Sequence, residues 1–168
     1  TAEQEPGCDL WLAFAPIKKT PADYLAQKAT ELGVSVLQPV ITRRTIVHRV
    51  NVERMRANAV EAAEQSGRLT VPEIRGPVEL DTLIREWPRE RHLLFCDEAG
   101  APPILQAITE TPEGSWGVLT GPEGGFDETE RTMIRAHAAT VPASLGTRVL
   151  RADTASLAAL AVWQALYG

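Results

Sequence analysis

Cysteine is scarce in this chain. Cys8 and Cys96 have no partner spacing for a metal site, and nothing in their surroundings suggests secretion. Both are expected as reduced thiols of a cytoplasmic protein, with Cys96 a small buried hydrophobe in the run Leu93-Leu94-Phe95-Cys96. Long apolar runs are missing too. None approaches the roughly 20 residues that span a bilayer, so no membrane partner is expected. Thr1 to Asp9 is acidic and polar and does not read as a signal peptide. There is no surplus of basic residues either: 17 Lys and Arg stand against 22 Asp and Glu, a net charge of −5. A nucleic-acid footprint, if present, must therefore be local. The chain also lacks G-x-G-x-x-G and any glycine loop followed by Gly-Lys-Ser/Thr, which argues against a dinucleotide or a nucleoside triphosphate.

What remains is an ordinary globular composition, 44 % apolar over 168 residues. That fits one domain burying roughly 70 % of its unfolded surface. Residues 9–168 read as this domain and 1–8 as a frayed segment, with no internal repeat or linker. Short apolar runs alternate with helical patterns, which predicts an α/β fold with a largely parallel sheet. Strands are expected at Leu10–Ala15, at Val34–Ile41 with a bend at Pro39, at Glu73–Arg75, Leu93–Cys96, Trp116–Thr120 and Thr140–Ser144. Helices are expected from Thr20-Pro21 to Gly33, from the cap Asn51 to about Gln65 before Gly67, over Asp81–Trp87 and over Ile104–Ile108. Asp127 and Glu130 match a capping box, with Met133, Ile134 and Ala138 on the apolar side. Asp153 predicts the N-cap of a final helix bearing Leu157, Leu160, Ala161 and Trp163.

Two loops carry the chemistry. Gly121-Pro122-Glu123-Gly124-Gly125-Phe126 leads from a strand into the capped helix. Leu145-Gly146-Thr147-Arg148-Val149-Leu150-Arg151 leads into the final one. Glycines let a ligand touch the backbone. Taken alone, the first segment favours a tight turn that binds nothing over a ligand loop. The apolar residues of the second must be buried, either against an aromatic ligand or in the core. Arg43, Arg44, Arg49, Arg54 and Arg56 cluster against Glu53, beside His48, as either a solvated surface or an RNA contact.

The two loops, in this order and separation, resemble the cofactor-binding loops of the SPOUT methyltransferases, and more narrowly the RsmE family. That family methylates N3 of a uridine in small-subunit ribosomal RNA. Gln27-Lys28-Ala29-Thr30-Glu31-Leu32-Gly33-Val34 and Glu61-Ala62-Ala63-Glu64-Gln65-Ser66-Gly67-Arg68, running on to Val71-Pro72-Glu73-Ile74, extend the resemblance over most of the chain. It implies a parallel α/β sheet flanked by helices with a C-terminal trefoil knot, S-adenosylmethionine as cofactor, a homodimer, and 16S ribosomal RNA or the small subunit as substrate. By resemblance, Leu119, Thr120, Gly121, Pro122, Glu123, Gly124 and Gly125 line the cofactor pocket with Leu145, Gly146, Val149, Leu150, Arg151, Thr154 and Ala155. No metal is expected. The family's N-terminal PUA-like RNA-binding barrel is expected to be absent from this chain, and Asp153 stands where many relatives carry glutamate. Another RNA, such as transfer RNA, or a catalytically silent dimeric domain are the alternative readings.

Methyl transfer to uracil N3 needs either a base for the N3 proton or cationic and N–H groups facing the anion that develops on O2 and O4. Arg151 is the candidate for the second role, or else a phosphate contact or an ion pair to Asp153. Glu123 is the candidate base with the best local case, beside Glu64 and Asp153. Arg43, Arg44, Arg49 and Arg68 are the candidate RNA contacts.

Overall fold

The computed structural model describes residues 9–16, 22–46, 49–97, 100–146, 148 and 150–168. The expected helix start at Thr20-Pro21, and His48, Val149 and residues 1–8 with Cys8, lie outside them.

All strand pairings are parallel. The order is β3 (Glu73–Ile74), β2 (Val36–Ile41), β1 (Leu10–Phe14), β6 (Ser115–Thr120), β5 (Arg91–Cys96), β7 (Thr140–Ala143), with β4 (Val78–Glu79) also beside β2. The period-2 alternation of a strand puts successive side chains on opposite faces. Leu10, Leu12 and Phe14 of β1 accordingly join one core, and Ala13 the other. The first core packs under α1 (Ala22–Glu31), α2 (Val52–Gln65), α4 (Ile104–Thr109) and α6 (Ala152–Tyr167). The second packs under α3 (Leu80–Glu86) and α5 (Glu128–Ala136). Sheet strands covered on both faces explain the continuous apolar run ending at Cys96. Burial there pushes the Cys96 thiol up to about 12.

The local signals act as expected. Asn51 accepts from the Arg54 N–H at 3.0 Å and starts α2. Gly33 and Gly67, at φ +89° and +73°, take the left-handed positions after α1 and α2. Gln164 of α6 donates to the carbonyl of Leu32, beside Gly33. Pro39 sits in β2 opposite Phe14, in the gap where pairing passes from β3 to β4, so its missing N–H breaks no ladder. Gln38 fills that gap by donating to the Gly76 carbonyl at 2.8 Å.

Two expectations need correction. Arg151, not Asp153, occupies the N-cap position of α6, with no side-chain cap. Asp153 falls in the first turn, where its charge still suits the helix dipole, and its Oδ1 is buried without a hydrogen-bond partner among the described residues. Ala138 is exposed, and Ala139 takes the buried position instead. The strand β4 is the element with no sequence expectation behind it.

Candidate functional site

The chain leaves β5 for α4 on one face of the sheet and leaves β6 for α5 on the other. In open α/β sheets the carboxyl ends of strands that diverge in this way are the usual ligand position. Leu119 and Thr120 end β6 fully buried, and the Ala15 N–H donates to the Thr120 carbonyl at 3.2 Å. The next residue cannot carry a side chain without cost. A Cβ on Gly121 would lie 2.9 Å from the Phe126 ring, which is itself anchored edge-on against Phe95. The loop then turns back through a Gly125 N–H to Pro122 carbonyl bond of 2.9 Å, with Gly125 at φ +70°. Pro122 is buried, and Glu123 and Gly124 are exposed.

Asp127 closes this loop. Its carboxylate accepts from the Glu130 N–H at 2.8 Å, and Glu130 Oε1 accepts in return from the Asp127 N–H at 3.0 Å. The Glu130 N–H, followed by the Arg43 guanidinium, holds the Asp127 carboxyl below its usual range.

After β7 the chain forms the second wall. The Ser144 N–H donates to Pro102 at 2.8 Å and the Ile104 N–H to Ser144 at 2.9 Å, which joins the loop after β5 to the loop after β7. This third loop went unread in the sequence, because only a parallel bridge between distant residues reveals it. Gly146 is at φ +115°, and its N–H donates to Ser144 Oγ at 3.2 Å. Leu145 packs against the first core, Leu150 and Ala155 are half-buried, and Arg151 and Thr154 are exposed.

The two walls are tied together inside the protein. Thr120 Oγ1 and Ser156 Oγ lie 2.6 Å apart, both buried. Ser156 spends its single hydroxyl proton on the Ala152 carbonyl at 3.0 Å, so Thr120 is the donor of the pair. The end of β6 is thereby fixed to the first turn of α6, and the expected cofactor-loop residues outside position 149 gather at one end of the sheet.

The RNA methyltransferase domain model matches residues 3–164. Ribosomal RNA small subunit methyltransferase E of Neisseria gonorrhoeae, in a structure bound to S-adenosylmethionine, is 32 % identical with a TM-score of 0.89 over 100 % of this chain and 70 % of that one. The chain belongs to the ribosomal RNA small subunit methyltransferase E family. A methyltransferase of Legionella pneumophila in complex with the same cofactor is 32 % identical with a TM-score of 0.84, over 95 % of this chain and 67 % of that one. The methyltransferase E of Rickettsia conorii is 32 % identical over 90 % of this chain. The chain spans 62 % of that relative's length.

In this domain, most of the expected RNA arginines are engaged within the fold. Arg43 pairs with Asp127 Oδ2 at 3.0 Å, and its backbone N–H donates to Glu130 Oε2 at 3.1 Å. Arg44 donates to the Gly124 carbonyl at 2.9 Å and more weakly to that of Phe126 at 3.5 Å. Arg68 donates to the carbonyls of Thr30 and Val34 at 2.7 and 3.2 Å. Arg49 is exposed. Arg151 is exposed beside the second wall, and among the described residues it forms no ion pair with Asp153. No group of metal-ligating side chains occurs among the described residues, and no helix of theirs is long and apolar enough to cross a membrane.

Proposed function

We propose that this chain is the catalytic domain of an S-adenosylmethionine-dependent methyltransferase that acts on N3 of a uridine in 16S ribosomal RNA, free or within the small subunit. The observation that carries the reading is the convergence of two glycine-bearing loops at the carboxyl ends of β6 and β7, locked by the Thr120–Ser156 pair. The residues fit such a cofactor. Gly125 and Gly146 have positive φ and no atom within 4 Å of the place a Cβ would take, so each presents bare backbone. By resemblance, residues 119–125, 145, 146, 150, 151, 154 and 155 are the candidates to line the pocket. When bound, the cofactor supplies an activated methyl group.

The chain's own residues do the rest. Positioning the acceptor in line with the methyl group provides much of the rate. Loss of the N3 proton leaves negative charge on uracil O2 and O4. Arg151, cationic, exposed and unpaired with Asp153, is the candidate to stabilise that charge. Glu123 on the exposed turn of the first loop is the candidate to accept the proton. Arg49, with Arg43, Arg44 and Arg68 beside it in the sequence reading, supplies the RNA-contact candidates. The proposal extends to a homodimer, a C-terminal trefoil knot and a cytoplasmic location, all supported by family resemblance.

Calorimetric titration with S-adenosylmethionine and S-adenosylhomocysteine tests the cofactor reading. The wild type should bind both. Gly125→Val, which forces a β-branched residue into the left-handed region, should lose binding. Absence of binding to the wild type would overturn the reading. Arg151→Ala should lower turnover about 100-fold, as loss of an electrostatic stabiliser does, with little change in cofactor affinity. Equal losses in both would remove Arg151 from the chemistry.

A further inference from the structure

We propose that Arg44 is a positioning residue for the cofactor, acting as a clasp that sets the shape of the Gly121–Phe126 loop. The inference rests on the methyltransferase reading for its purpose, but on the geometry for the clasp itself.

The loop turns sharply, carries three glycines and presents carbonyls to its outer side. Such backbone has many conformations open to it and needs an external fastening to keep one. The fastening comes from the turn after β2. Thr42 and Thr45, both buried, make that turn rigid: the Thr42 N–H donates to Thr45 Oγ1 at 2.9 Å, the two hydroxyls lie 2.8 Å apart, and the Thr45 N–H returns to the Thr42 carbonyl at 3.2 Å. Arg43 and Arg44 project from this fixed base. The Arg43 N–H meets Glu130 Oε2 and its guanidinium meets Asp127, so the turn is joined to the start of α5. Arg44 takes the other end of the gap. Its stem lies 3.5 Å from the place a Gly124 Cβ would occupy, and its NH1 donates to the carbonyls of Gly124 and Phe126. Those carbonyls flank Gly125, the residue at φ +70°. The Gly124 carbonyl belongs to the peptide that enters the reversing glycine and the Phe126 carbonyl to the peptide that enters Asp127, so one guanidinium restrains the backbone on both sides of Gly125.

This use of Arg44 differs from a phosphate contact. Its effect on the cofactor site should be measurable with no RNA present. Amide hydrogen exchange of the unliganded protein and calorimetry with S-adenosylhomocysteine are applied to the wild type, Arg44→Ala and Arg44→Lys. Arg44→Ala should speed exchange at Gly124, Gly125 and Phe126 about tenfold and weaken S-adenosylhomocysteine about tenfold, the loss expected when one charge-assisted hydrogen bond goes. Exchange in β5 should be unchanged, which separates loosening of the loop from loss of fold. Arg44→Lys keeps the stem and one donor and should recover part of both effects. Unchanged loop exchange in Arg44→Ala overturns the clasp. Faster loop exchange with full ligand affinity overturns its positioning role. If the wild type itself binds no S-adenosylhomocysteine, the methyltransferase reading fails and the exchange data alone decide whether Arg44 shapes the loop.

Discussion

Individual glycines in this domain serve opposite purposes, and sequence context alone does not separate them. On Gly117 a Cβ would run into the Trp87 ring, so that glycine exists for packing inside the second core. On Gly121 it would displace Phe126 at the end of the same loop, and on Gly124 it would meet the Arg44 stem at an ordinary 3.5 Å. Gly117→Ala should therefore lose about 1–3 kcal/mol of stability as an overpacked core site does. Molecules that remain folded should bind S-adenosylhomocysteine normally. Gly121→Ala should show the reverse, weak binding with a small stability change, and Gly124→Ala should alter neither much. Urea unfolding and calorimetry on the three variants check this; equal behaviour of Gly117→Ala and Gly121→Ala would refute it.

Between elements, the capped start of α5 carries a pH dependence. The Asp127 carboxyl lies below its ordinary value of 3.8 because the Glu130 N–H and then Arg43 favour its charged form. A carboxyl lowered on folding stabilises the native state above its unfolded value and loses that contribution as pH falls through the folded one. Asp127→Asn keeps a cap acceptor but does not titrate. Its stability should therefore drop less than that of the wild type between about pH 5 and pH 2, as measured by thermal unfolding; parallel curves would exclude the role. Both members of this capping box stand out in the sequence because a cap is a contact between neighbours in the chain. The same is true of Asn51, Gly33 and Gly67. The Asp153 cap failed for a related reason: the first turn of α6 forms two residues earlier, where Ser156 and Thr120 set its place from inside the core. Likewise β4 and the loop after β5 owe their shape to β2 and to Ser144, distant partners that no local pattern encodes.

Over the whole molecule, the net negative charge leaves a limited set of cations for RNA, and the fold sorts them. Arg68 spends its guanidinium on carbonyls of the α1–β2 junction, whereas Arg49 is exposed. Arg68→Ala should cost about 1–3 kcal/mol of stability, the loss of charge-assisted bonds to part-buried carbonyls. Arg49→Ala should leave stability intact and lower the salt slope of RNA binding by about one unit if it contacts a phosphate. Unfolding curves and salt-dependent binding of a ribosomal RNA fragment distinguish the two; an unchanged slope would make Arg49 a solvated surface residue. The carboxylate of Glu130 shows a further consequence of long-range construction. It is 5 % exposed and answers two backbone N–H groups, those of Asp127 and of Arg43, 87 positions away in the chain. Glutamine has the same shape but only one acceptor oxygen, and its amide would turn a donor toward a donor. An otherwise conservative exchange therefore leaves one of the two N–H groups without its acceptor, so a single atom swap reaches either the turn after β2 or the start of α5.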